Sequence, residues 1–113
     1  MKTHTLKQFI RSLMNIEPNK SPVISCFLNF EGNRREKMDH LALEFSEYSR
    51  RLSGKWLEEF EAAQARINEY LFYDLKATTQ SVVLYVRAGK NPVFEAAQFE
   101  VPIRTQIFVD RLP

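Results

Sequence analysis

Apolar residues recur at two spacings along the chain, and each change of spacing marks a new element. Leu6, Phe9, Ile10, Leu13 and Met14 fall three and four residues apart, the stripe of an amphipathic helix. This predicts an N-terminal helix that stops before Pro18, within the polar loop "NIEPNKSP". The next run, "VISCFLNF" (23–30), is almost continuously apolar and rich in β-branched and aromatic residues. Such a run predicts a strand covered on both faces, hence central in a sheet. Helical spacing then returns, with Met38, Leu41, Ala42, Phe45, Tyr48 and Leu52 on one face. After Ser53-Gly54 it resumes through Trp56 or Leu57, Phe60, Ala63, Ile67, Tyr70 or Leu71, and Leu75.

The punctuation of these two helical stretches agrees with their periodicity. Asn33 followed three residues later by Glu36 resembles a capping box, with Asn in place of Ser or Thr. Gly54 suits a helix C-terminal stop, where a left-handed residue is needed. Arg50 and Arg51 in the preceding turn suit the negative end of the helix dipole. Two helices of roughly 15–20 residues joined by so short a break predict a long antiparallel helical hairpin. At about 1.5 Å per residue its tip would stand roughly 25 Å from the sheet.

The last third is β in pattern. "SVVLYV" (81–86) predicts a second buried strand, and "AGKNP" (88–92) a turn. "VFEAAQFEV" (93–101) carries interspersed polar residues and is expected nearer an edge. In "RTQIFVD" (104–110), Thr105, Ile107 and Val109 alternate with Arg104, Gln106 and Asp110. The order helix, strand, helical hairpin and three strands predicts an α/β (α+β) two-layer sandwich. It would have a mixed sheet of about four strands, with the N-terminal helix and the hairpin against it. Residues 1–113 are of the length of one domain. The chain stops just after its last strand, so the expectation is the N-terminal domain of a longer, multidomain protein.

Composition narrows the chemistry. No apolar run approaches the roughly 20 residues needed to span a bilayer, and "MKTHTLKQFIRS" lacks the apolar centre of a secretion signal. The single cysteine, Cys26, rules out an internal disulfide and suits a reducing compartment, so a cytoplasmic location is expected. Asp39, His40 and Glu44 lie close together, but an i,i+4 polar pair on a helix is far commoner as surface decoration than as a metal site. Cys26 and His40 could be imagined as nucleophile and base, yet a strand-buried thiol is usually inert. With only Gly32, Gly54 and Gly89, no Gly-rich phosphate loop exists. Neither enzyme activity nor a cofactor nor a metal is expected.

A formal net charge of +2 is too small to indicate nucleic-acid binding by itself, so any basic footprint must be local. Two groups qualify. Arg34, Arg35 and Lys37 open the second helix, where its N-terminus already favours anions. Arg50, Arg51 and Lys55 surround the tip at Ser53-Gly54. Trp56 beside them could stack on a base or pack against Leu52.

Several runs resemble the N-terminal domain of the class I peptide chain release factors of archaea and eukaryotes, and more closely their divergent bacterial relatives. "LKQFIRSLMN" resembles the opening helix and "SPVISCFLNF" the first strand. "MDHLALEFSEYSRRLSGKWLEEFEAAQARINEYL" resembles the helical hairpin, "SVVLYVRAG" the next strand, and "FEVPIRTQIFVDRLP" the closing segment. In that family the hairpin tip carries Asn-Ile-Lys-Ser, which reaches the messenger RNA. Here the stretch reads "SRRLSGKW", basic but without the tetrapeptide. The family's Tyr-x-Cys-x-x-x-Phe run is also missing near "IFVDRLP". The resemblance therefore implies a ribosome-associated module, acting in rescue, stalling or dormancy, that does not read stop codons. Arg50, Arg51, Ser53, Gly54, Lys55, Arg34, Arg35 and Lys37 would approach ribosomal RNA. The competing expectation is a protein-interaction module, in which the hairpin or strand 93–101 pairs with a further domain or a second copy of the chain.

Overall fold

The computed structural model describes residues 21–110. Its elements are β1 (Val23–Asn29), α1 (Arg34–Ser49), α2 (Gly54–Tyr73), β2 (Ser81–Arg87), β3 (Val93–Phe99) and β4 (Gln106–Asp110). The helix expected over residues 6–14 lies outside the described residues. The strands form one sheet in the order β3-β2-β1-β4, which puts β1 and β2 at the centre and β3 at an edge.

All three strand pairings are antiparallel, which corrects the expected mixed sheet. The reason is parity. One helix between two strands returns the chain to its starting end and gives a parallel pair. Here α1 carries the chain back from the end of β1, and α2 reverses it again. β2 therefore starts where β1 stopped, with Asn29 opposite Ser81. After β3, residues 100–105 cross the same end of the sheet to reach β4. Ser81 Oγ donates to the Val101 carbonyl at 2.6 Å, and Thr105 Oγ1 accepts from Asn29 N–H at 2.9 Å.

The core lies between the helices and one face of the sheet. Ile24, Cys26 and Leu28 from β1 and Val82, Leu84 and Val86 from β2 meet Leu41 and Phe45 of α1 and Phe60, Ala63, Ile67 and Leu71 of α2. The strand residues obey a period of two and the helix residues a period of three to four, as each backbone geometry requires. Phe45 and Phe60 are fully buried and meet edge to face, their centroids 6.0 Å apart. On the opposite face Ala97 and Phe99 are buried with Val83 and Tyr85 packed against them.

The expected long, projecting helical hairpin is also corrected. Leu41 and Phe45 of α1 and Phe60, Ala63, Ile67 and Leu71 of α2 face the sheet, while Leu43, Phe72 and Tyr73 stay exposed. Phe45 and Phe60, near the junction, sit in the same core cluster as the central strands, and Tyr48 Oη reaches the Ile107 carbonyl of β4 at 3.0 Å. A tip roughly 25 Å away would have exposed these aromatic rings, at a cost of about 2–3 kcal/mol each. Burial against the sheet outweighs helix-on-helix packing.

Candidate RNA-contact site

The eight basic and junction residues singled out by the sequence separate into two places, one at each end of α1. That helix has 16 residues, so the groups stand roughly 24 Å apart.

At the N-terminal end, Asn33 is extended and its side chain accepts from Glu36 N–H at 3.2 Å, the cap that the sequence implied. Arg34 turns inward. Its Nη2 donates to the carbonyls of Lys76 at 2.6 Å and Thr79 at 3.1 Å, with Ala77 more distant at 3.4 Å. One guanidinium thus gathers the carbonyls of the loop that leads from α2 into β2. Gln98 ties down the same loop, since its Oε1 accepts from Lys76 N–H and from Thr79 Oγ1, both within hydrogen-bond reach. Arg34 is therefore part of the scaffold. Arg35 is exposed, while Lys37 lines a groove of about 460 Å³ between α1 and strands β1 and β4.

That groove also holds Glu36, His40 and Glu44. His40 Nε2 lies 3.6 Å from Glu44 Oε1, both side chains well exposed. Among the described residues no three His, Cys, Asp or Glu side chains are grouped to hold a metal ion. Cys26 is wholly buried. Burial, and secondarily the Glu44 carboxylate, pushes its thiol up to about 12, so at neutral pH it remains protonated and is a poor nucleophile.

At the other end, residues 50–55 form a tight junction. The last turn of α1 narrows: Arg51 N–H donates to Tyr48 C=O at 3.0 Å and Leu52 N–H to Ser49 C=O at 3.2 Å. Arg50 is the C-cap of α1 in a right-handed conformation. Gly54 does not terminate α1, as the sequence suggested. It opens α2 with φ +60°, following an extended Ser53. The need for glycine was legible, but its place in the turn was not.

The junction presents its cations outward. Arg50 Nη1 pairs with Glu47 Oε1 at 2.7 Å, an exposed pair worth well under 1 kcal/mol. The Arg51 guanidinium lies 5.8 Å from the centroid of the Tyr48 ring. Lys55 Nζ is 4.0 Å from Glu59 Oε1, with its own side chain 84% exposed. None of the three is held as Arg34 is.

Sequence reading missed a neighbour. The β2–β3 turn comes to the same end of the molecule, because a Cβ added at Gly89 would lie 2.7 Å from Glu59 Oε1. Lys90, next to Gly89 and exposed, thus stands beside the Lys55–Glu59 pair. The composition of "AGKNP" marked a turn; only the strand order tells at which end of the helices it lies.

Neither a protein-family model, nor a curated protein, nor a solved structure matches the chain. The likeness to release factors rests on the sequence runs alone. Among the described residues no helix is long and apolar enough to cross a membrane.

Proposed function

We propose that this chain is the N-terminal module of a release-factor-like, ribosome-associated translation factor that does not read stop codons. Its α1–α2 junction is the RNA-contacting end. The observation that carries this reading is the cluster of Arg50, Arg51 and Lys55, joined by Lys90 from another element. All are exposed, and the three junction cations have only shallow local partners. Such cations can exchange their partners for phosphates at little cost. The half-buried Trp56 follows directly in α2. Arg35 and Lys37 form a second, weaker cationic site at the opposite end. A cytoplasmic location, no catalytic chemistry of its own and attachment to further domains belong to the same reading.

The test is ribosome co-sedimentation of the full-length parent over a range of salt, beside an Arg50→Glu, Arg51→Glu, Lys55→Glu variant. Binding should weaken with salt. In the variant the slope of log affinity against log salt should be shallower by about three, with the fold intact by circular dichroism. Unchanged affinity and slope would remove the junction from the RNA-contact reading. A protein-interaction module is the second reading, and one feature of the sheet favours it specifically.

A further inference from the structure

The two edges of the sheet are not equivalent, and the backbone directions show why. Phe30 N–H donates to the Gln80 carbonyl, so in β1 the even-numbered residues turn their N–H and C=O groups toward β2. Backbone groups alternate sides along a strand. The odd-numbered residues of β2 therefore bond β3, through the register Ser81–Phe99, Val83–Ala97, Tyr85–Glu95 and Arg87–Val93. This leaves Phe94, Ala96 and Gln98 with their N–H and C=O groups directed away from the sheet. On the other side, Val23, Ser25 and Phe27 bond β4 through Asp110, Phe108 and Gln106, which leaves Ile107 and Val109 outward. Tyr48 engages one of these outward groups by donating to the Ile107 carbonyl. No comparable bond to the outward backbone groups of β3 occurs among the described residues. Their neighbours from α2 engage side chains instead, Arg66 over the Phe94 ring at 4.6 Å and Tyr70 Oη with Gln98 Nε2 at 2.8 Å.

We propose that the β3 edge pairs with the same edge of a second copy of this chain, antiparallel and two-fold symmetric through Ala96. The strand is complementary to itself in that register. Ala96 meets the partner's Ala96 and Phe94 meets the partner's Gln98, which gives about six backbone hydrogen bonds from three outward residues. On the opposite face Glu95 falls opposite the partner's Ala97, and Val93 opposite the partner's Phe99. No like charges meet. A two-fold axis through Glu95 would set two carboxylates against each other, a destabilising cross-strand pair. The charges on α2 agree with the Ala96 register. Arg66 sits by Phe94, while Gln98 Nε2 reaches the Asp74 carbonyl at 2.7 Å. Antiparallel pairing thus brings Arg66 alongside the partner's Asp74. Apart from Glu95 the strand VFEAAQF is uncharged, without the lysine or proline that commonly protects an exposed edge.

The decisive variant is Ala96→Pro. The Ala96 N–H faces outward, so proline there keeps the ladder to β2 and blocks only an added strand. In sedimentation equilibrium the average mass of the wild-type chain should climb with concentration toward twice the chain mass, with little dependence on salt. Ala96→Pro should stay at the chain mass over the same range. Wild type at the single-chain mass throughout would overturn the proposal, and so would an equal mass gain in both proteins, which would place association on another surface. Should circular dichroism show Ala96→Pro unfolded, amide hydrogen exchange of the wild type decides. The Ala96 amide should exchange about tenfold more slowly in concentrated than in dilute solution, and a rate independent of concentration would refute the pairing.

Discussion

Arg34 and Arg50 stand at opposite ends of the same helix, carry the same charge and do different things. Arg34 donates to the carbonyls of Lys76 and Thr79 and approaches that of Ala77, holding the loop by which α2 feeds β2. Arg50 leans on Glu47 in an exposed i,i+3 pair, while Arg51 and Lys55 beside it have still looser company. One end of the helical layer uses a cation to organise backbone; the other displays cations to solvent. A cation matters to the fold when it satisfies carbonyls that would otherwise lack a donor, and it is available to a ligand when it does not.

The sharpest way to break this contrast is Arg34→Ala. It should lower stability by about 2 kcal/mol, the scale of charge-assisted bonds to backbone, measured by urea denaturation. Cys26 offers a second readout of the same loss. Its buried, protonated thiol reacts with a thiol reagent only when the core opens. Where global opening governs labelling, Arg34→Ala should speed it about 30-fold at neutral pH, the rate equivalent of 2 kcal/mol. Gly54→Ala comes next. A Cβ there would meet no atom within 4 Å, but φ is +60°, so the cost is backbone strain alone, about 1–2 kcal/mol. Asn33→Ala should cost about 1 kcal/mol through the lost cap on Glu36 N–H. The smallest effects belong to Arg50→Ala, Arg51→Ala and Lys55→Ala, each within about 0.5 kcal/mol of wild type and each changing Cys26 labelling by no more than about twofold. A junction variant as destabilised as Arg34→Ala would erase the distinction between the two ends.

The strands were legible because short runs dense in β-branched and aromatic residues leave a clear mark. The expected cover on both faces holds only in part: Ile24, Cys26 and Leu28 are buried against the helices, while on the other face Val23 is buried and Ser25, Phe27 and Asn29 are half-buried. The Asn33 cap was legible for a local reason, since donor and acceptor are three residues apart. The direction of the strands was harder, because it depends on counting reversals, and the two helices between β1 and β2 make two. Whether the helices lie on the sheet or project from it depends on where Phe45 and Phe60 find their apolar neighbours. Helical periodicity marks those residues as inward-facing without saying what they face. The same limit applies to the basic residues. Arg34 and Arg35 are adjacent and alike in type, and only the approach of residues 76–79, more than forty positions away, separates a scaffold arginine from an exposed one. Lys90 was hidden for the converse reason, as a lone lysine in a turn gains a place in a cluster only when the sheet order brings that turn beside α2.

The hydroxyl of Tyr48 on the Ile107 carbonyl bears on how the sheet could grow. A sheet with two open edges can add strands without end, the route to fibres. Here one outward carbonyl of β4, that of Ile107, is already taken by a side chain of the sheet's own helical layer, while no such bond meets β3 among the described residues. Joining two such sheets through β3, as proposed, would leave at each extremity a β4 strand whose Ile107 carbonyl is already engaged, which works against further strand addition and favours a pair over a filament.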